Sequence, residues 1–341
     1  MISGRPYAPA DESALLRLVE TPLPGWVRLR YAYAKGYAAG EGLKGAHLAL
    51  SVVEDAARGL CGASTRTTRA VWLDGAVQRV GYLSGLRSFP WARRGFALSR
   101  GLRQARAQAA DDPSAVDFAT VLAGNPGVVG LLTSSRPGLP QCRRAGRLET
   151  CVLAPLPGAD PSDGAPFEDI AAFYRREAPR KPLFPVLEER HPSLRDEDFF
   201  CLRRNGRIVG AAAVWSHGDF RRIFVDGYAP AMRAMRPFAN AWSRCRGAPL
   251  LPSPGDELRC RYLAYALVEN DDPALFAELL SCARRRTERA NLVLTLHACD
   301  PLLPTVAKLH PWRYGSDLLA ASFDTYPRPF GGIPHIEAGA L

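Results

Sequence analysis

The 341-residue sequence predicts a mixed α/β protein in two domains, each a mostly antiparallel mixed sheet flanked by helices. Three observations support this. Apolar residues switch repeatedly between a period of two and a period near 3.6, the signatures of strand and helix. A stretch of Pro, Gly, Asp and Ser, Ala154 to Pro166, interrupts that alternation near mid-chain and reads as a linker. The length also favours two domains, and strand-helix-strand recurs at a comparable point in each half, in element order rather than residue identity. The predicted domains are 1–157 and 167–341, with 158–166 between them.

Taken in order, Asp11 to Leu18 reads as a short helix, ended by Pro22 to Gly25. Trp26 to Tyr37, rich in tyrosine and basic residues, fits helix or strand. His47 to Glu54 and Gly62 to Leu73 are apolar strands. Asp74-Gly75 is a hairpin signal joining the second to a strand near Gln78, which gives an antiparallel meander. Val80, Tyr82, Ser84 and Leu86 alternate with Gly81, Leu83, Gly85 and Arg87, and Pro90 stops the ladder. Helical spacing takes over from Gly95 to about 110. A strand (118–123), a helix (127–134) and a strand (147–156) complete the first half. The second reads as helix 167–176, a hairpin 199–216 turning on Asn205-Gly206, a basic helix 232–246, strand 259–268, helix 274–286, strand 291–296, helix 297–310 and strand 318–325.

Seven arginines lie between Arg79 and Arg106 with no acidic residue among them. A helix N-terminus exposes unpaired N–H groups and the positive end of its dipole, so Arg93, Arg94 and Gly95 could hold a phosphate there. A solvated basic turn looks the same. The spacing is neither GxxxxGK[ST] nor GxGxxG. Leu86, Arg87, Pro90, Arg94, Gly95, Phe96, Ala97 and Leu98, followed downstream by Val121-Leu122-Ala123-Gly124-Asn125, resemble the coenzyme A signature of the GCN5-related N-acetyltransferase (GNAT) superfamily. The resemblance implies two GNAT-like domains and an acyl-CoA-dependent N-acyltransferase that moves an acetyl group to an amine. The acceptor would be a small molecule or a peptide. Acetyl-CoA, or another acyl-CoA, would then lie on Leu86, Arg87, Ser88, the Arg93–Leu98 turn and Asn125. The catalytic candidates under that resemblance are Glu54 as base, with Tyr82 and Ser84 on the central strand. Relatives often carry a tyrosine acid after the Asn, and none occurs here between Gly127 and Ser135. Ala97 also stands where glycine is usual. A coenzyme A-binding or regulatory protein without turnover is therefore the alternative.

In the second half the equivalent turn reads Glu269-Asn270-Asp271-Asp272-Pro273. Its three carboxylates suit a helix cap but repel a pyrophosphate, so this half is expected not to bind coenzyme A. The net charge of +10 permits anionic ligands, yet no aromatic-basic motif points to nucleic acid. Eight cysteines without a CxxC, and scattered histidines without HExxH, argue against a metal site and a disulfide scaffold. No run approaches 18 apolar residues and the N-terminus lacks a signal-peptide core, so no membrane association and a cytoplasmic location are expected.

Overall fold

The computed structural model describes residues 2–21, 25–92, 97–136, 138–160, 162 and 165–341. In chain order the first half gives β1 (Ile2–Pro6), α1 (Glu12–Glu20), β2 (Val27–Tyr33), α2 (Tyr37–Gly42), β3 (His47–Asp55), β4 (Gly59–Leu73), β5 (Ala76–Ser88), α3 (Ala97–Asp111), β6 (Val116–Leu122), α4 (Pro126–Leu132) and β7 (Gln141–Leu153). The second gives α5 (Phe167–Glu177), β8 (Phe184–Pro185), β9 (Phe199–Arg204), β10 (Arg207–Trp215), β11 (Arg221–Tyr228), α6 (Pro230–Arg246), β12 (Cys260–Val268), α7 (Pro273–Arg285), β13 (Asn291–His297), α8 (Leu303–Ala307) and β14 (Trp312–Ser322).

The expected meander is present as β3-β4-β5, antiparallel throughout. Asp74 and Gly75, both at positive φ, make the tight turn between β4 and β5, and Asn205 and Gly206 do the same for β9 and β10. One large mixed sheet runs β1-β3-β4-β5-β6-β14-β7-β13-β12-β10-β9, with β8 paired to β4. The last strand in sequence, β14, sits between β6 and β7, antiparallel to both. β7 in turn pairs with β13. The two sequence halves therefore exchange strands at the middle of the sheet. A small second sheet, β2 with β11, also joins residues from both halves.

Helices cover the sheet on both faces. α3 lies so close to the strands beneath it that a Cβ at Gly4 would stand 2.7 Å from the Arg100 carbonyl oxygen. On the opposite face Tyr174, Phe184, Phe199 and Tyr265 form an aromatic core.

Several elements differ from the sequence expectation. β7 begins at Gln141 rather than Arg147, because β14 pairs with it over its whole length. β14 itself starts at Trp312 for the same reason. The helix expected over 297–310 shrinks to α8. His297 completes β13, and the Asp300 carboxylate accepts the Leu302 N–H (2.9 Å) in the turn between them. Strands β1, β2, β8 and β11 are too short or too polar to show a clear period.

Candidate active site

The site is built where two parallel strands part. β5 and β6 pair from Val80 with Val116 to Leu83 with Ala119 and then separate, β5 staying with β4 and β6 with β14. At the parting point β5 bulges. Ser84 opposes Thr65 and Arg87 opposes Ala63, so Gly85 and Leu86 together face Ser64. Gly85 has φ +60°, and a Cβ there would lie 2.7 Å from the Thr65 hydroxyl and 2.8 Å from that of Tyr37, so the bulge needs glycine. Beyond it the Phe89 N–H donates to the Cys61 carbonyl (3.1 Å). Antiparallel alternation then directs the Arg87 N–H to β4 as well, and turns those of Leu86 and Ser88 toward the gap that β6 leaves.

The gap is a cavity of about 350 Å³ that passes through the sheet. On one side it is lined by Leu102 and Ala105 of α3 and by Val128 and Leu132 of α4; on the other by Tyr31, Tyr33, Tyr37 and Arg221. Between them stand Tyr82 and Ser84 of β5. Buried in the same wall is a polar cluster centred on Glu41. Its carboxylate accepts from Lys44 Nζ (2.8 Å) and from the Thr65 hydroxyl (3.0 Å). Ser84 Oγ shares a hydrogen bond with Thr65 Oγ1 (2.8 Å) and accepts from Lys44 (3.3 Å). Burial pushes the Glu41 carboxyl up, but the Lys44 ammonium, aided by Arg221 and Thr65, outweighs it and holds the group below the usual carboxylate range.

No protein-family model and no curated protein matches the chain. Solved structures do. A putative acetyltransferase from Pyrococcus horikoshii superposes with a TM-score of 0.54 at 9% identity, over 99% of this chain and 95% of that one. N-myristoyltransferase from Saccharomyces cerevisiae, solved with bound myristoyl-CoA, gives 0.56 at 10% identity, over 99% and 83%. A GCN5-related N-acetyltransferase from Anabaena variabilis gives 0.50 at 7% identity, over 95% and 73%. The chain has the GNAT fold.

Within this GNAT fold the structure gathers Tyr82, Ser84, Leu86, Arg87 and Asn125 around the cavity. Tyr82 stacks on Phe118 and its hydroxyl meets that of Thr120 (2.8 Å); burial pushes its pKa up to about 12, so the phenol stays protonated at neutral pH. Arg87 Nη1 donates to the Thr21 carbonyl (3.3 Å), and Asn125 caps α4 from an exposed position without a side-chain cap bond. Ser88 pairs with Gly62 beyond the cavity lining. Glu54 lies elsewhere: it ends β3 in an ion pair with Arg5, which also holds Asp11 (2.7 Å), and it does not line the cavity. Arg93, Arg94, Gly95 and Phe96 fall outside the described residues, and of Ala97 and Leu98 only the backbone, the first turn of α3, is described. Glu41, Lys44, Thr65 and Arg221 were not singled out from the sequence. One signal was present: a Glu and a Lys three apart inside AAGEGLKGA, an otherwise apolar and glycine-rich run.

A second parting of strands occurs in the other half of the sheet. β12 and β13 pair in parallel from Cys260 with Asn291 to Tyr262 with Val293, then diverge. Here too the first strand is irregular, at Tyr265, which has φ +53°. The gap is filled from within. His335, Ile336 and Glu337 lie against Leu263, Leu267, Leu294 and Leu296, and leave a cavity of only about 20 Å³. The buried Glu337 carboxylate accepts the Tyr265 N–H. The acidic turn before α7 is engaged by the protein itself: Asp272 caps Ala274 and Leu275, and Oδ2 of Asp271 is bound by Arg180 and Lys181.

Proposed function

We propose that the protein is an acyl-CoA-dependent N-acyltransferase that moves an acetyl group to an amine, with its cofactor in the cleft between β5 and β6. The observation that carries this reading is the cleft itself: a through-sheet gap with the Leu86 N–H turned into it, beside an unfilled cavity of about 350 Å³. Acyl-CoA, when bound, supplies the acyl thioester. Its pyrophosphate would be held at the start of α3 by the Arg93–Leu98 turn, with Asn125 nearby. Leu86, through its main-chain N–H, stabilises negative charge on the carbonyl oxygen, a role worth about 10²–10³ in rate elsewhere. The two halves, 1–157 and 167–341 joined by 158–166, are read as GNAT-like units of which only the first takes the cofactor. The filled gap between β12 and β13 supports that assignment.

The amine enters from the face that carries Tyr31, Tyr33 and Ser84. The Ser84–Thr65–Glu41 chain of hydroxyls and carboxylate would take one proton from the nitrogen, and Tyr82, a protonated phenol in the cavity wall, would return one to the thiolate. The C–N bond forms as the C–S bond breaks, giving the amide and the free thiol. A second reading, coenzyme A binding without turnover, is favoured by one observation: Glu41 is held ionised by Lys44, which makes it a weak base. Calorimetric titration with acetyl-CoA tests the shared part of both readings. Micromolar binding by the wild type, lost in an Arg93→Glu/Arg94→Glu variant, is expected. Absence of binding by a folded wild type would leave the fold without the activity. Release of free thiol on a panel of amines then separates the two readings.

A further inference from the structure

Helix α6, Pro230–Arg246, has an apolar face that, among the described residues, stays largely exposed, with His310 against Trp242 at its end. It meets the body of the protein through Arg236, Asn240 and Ser243. Arg236 donates to Ser253 (3.1 Å), Asn240 makes two bonds with the Leu251 backbone (2.7 and 3.0 Å), and Ser243 is the helix's one buried residue. The opposite face carries Met235, Phe238 and Trp242 at positions i, i+3 and i+7, exposed by 57%, 71% and 51%. Large apolar side chains so exposed and aligned on one face are unusual on a monomeric surface. A further exposed aromatic, Trp26, stands near the head of α6, where its carbonyl accepts the Ala229 N–H (2.9 Å). Arg246 falls on one margin of the stripe, and Arg233 and Arg244 lie toward the other, past Ala234 and Ala241. The helix contains no acidic residue.

We propose that α6 is an interfacial helix that seats the protein on the surface of an anionic lipid bilayer. Aromatic and Met side chains enter the acyl boundary while Arg246 at the margin, with the exposed Arg233 and Arg244 farther round the helix, supplies the attraction to the phosphate headgroups. The charge pattern selects this occupant. A second copy of the same helix would bring no carboxylate of its own to balance Arg233, Arg244 and Arg246, whereas an anionic surface supplies the counter-charge. Nucleic acid calls for cations at the centre of contact, whereas here the centre is apolar and the cations are marginal. Surface seating needs no membrane-spanning helix, and among the described residues no helix is long and apolar enough to cross.

Co-sedimentation of the full chain with vesicles tests the proposal. Equimolar phosphatidylglycerol and phosphatidylcholine vesicles at 0.1 M NaCl are compared with pure phosphatidylcholine. The wild type is expected to partition onto the anionic vesicles alone, and to be released as salt rises to 0.5 M. Phe238→Glu, at the most exposed position, and Phe238→Glu/Trp242→Glu are each expected to weaken partitioning at least tenfold while circular dichroism stays unchanged. Because Trp242 also touches His310 (ring centroids 6.0 Å), the single variant keeps the test independent of that contact. Failure of the wild type to bind anionic vesicles, binding by Phe238→Glu equal to wild type, or a dimer in sedimentation velocity that Phe238→Glu dissolves would each overturn the proposal.

Discussion

Asp117→Ala is expected to lower stability by about 3–5 kcal/mol, because it strands a buried guanidinium. Arg66 on β4 and Asp117 on β6 are both buried and meet across the intervening β5, with Arg66 Nη2 3.0 Å and Nε 3.2 Å from the carboxylate. The remaining donors of Arg66 go to the Asp112 carbonyl and the Ser114 hydroxyl, both at 2.9 Å. The pair can reach across only because β5 offers Gly81 there; a Cβ at that position would lie 1.8 Å from Asp117 Oδ1. Removing the carboxylate leaves the guanidinium with the Asp112 carbonyl, the Ser114 hydroxyl and, only at 3.9 Å, the partly exposed Asp112 carboxylate, too little to offset its desolvation. The urea midpoint should fall clearly for Asp117→Ala. In Arg66→Met/Asp117→Leu, where both charges go, much of the loss should be recovered. A drop below about 1 kcal/mol for Asp117→Ala would show that the pair does not hold β4 and β6 in register.

Glu41→Gln should damage both stability and turnover. Glu41 and Lys44 are a buried ion pair, so breaking it costs about 3–5 kcal/mol by the same reasoning. The pH dependence has a definite sign. The carboxyl is held below its unfolded value of about 4.3, so its contribution is complete above that pH and is lost as pH falls through the folded-state value. Wild type and Glu41→Gln should therefore differ most at neutral pH and converge in acid, as followed by urea midpoints from pH 7 to pH 3. On the proposed proton path the same variant lowers kcat about 10²-fold or more, with the KM for acetyl-CoA little changed. A variant with full kcat would remove the Ser84–Thr65–Glu41 chain from the mechanism.

Much of the fold was legible because its decisive signals are local. The Asp74-Gly75 and Asn205-Gly206 turns require positive φ, and the strand period around Tyr82 and the helical period after Gly95 each fit within a dozen residues. The placement of β14 between β6 and β7 was not legible, because no local pattern encodes which distant strand a segment pairs with. The same holds for the site. Tyr82, Ser84 and Leu86 lie on one strand and were found by position along it. Glu41 and Arg221 reach the cavity from α2 and β11, more than 40 and 130 residues away along the chain, and only packing brings them there. Glu54 had the right chemistry and the right strand. Near the C-terminal end of β3, opposite Ser3, however, its charge is used to pair with Arg5 of β1.

Hydrogen exchange with and without saturating acetyl-CoA distinguishes a cofactor held in one cleft from one held in either. Added protection of backbone amides is expected at Ser84–Ser88 and in the first turns of α3, with exchange at Leu263–Val268 and Leu294–His297 unchanged. Protection at the β12–β13 gap, or none at β5 despite saturation, would contradict a cofactor held in the β5–β6 cleft alone.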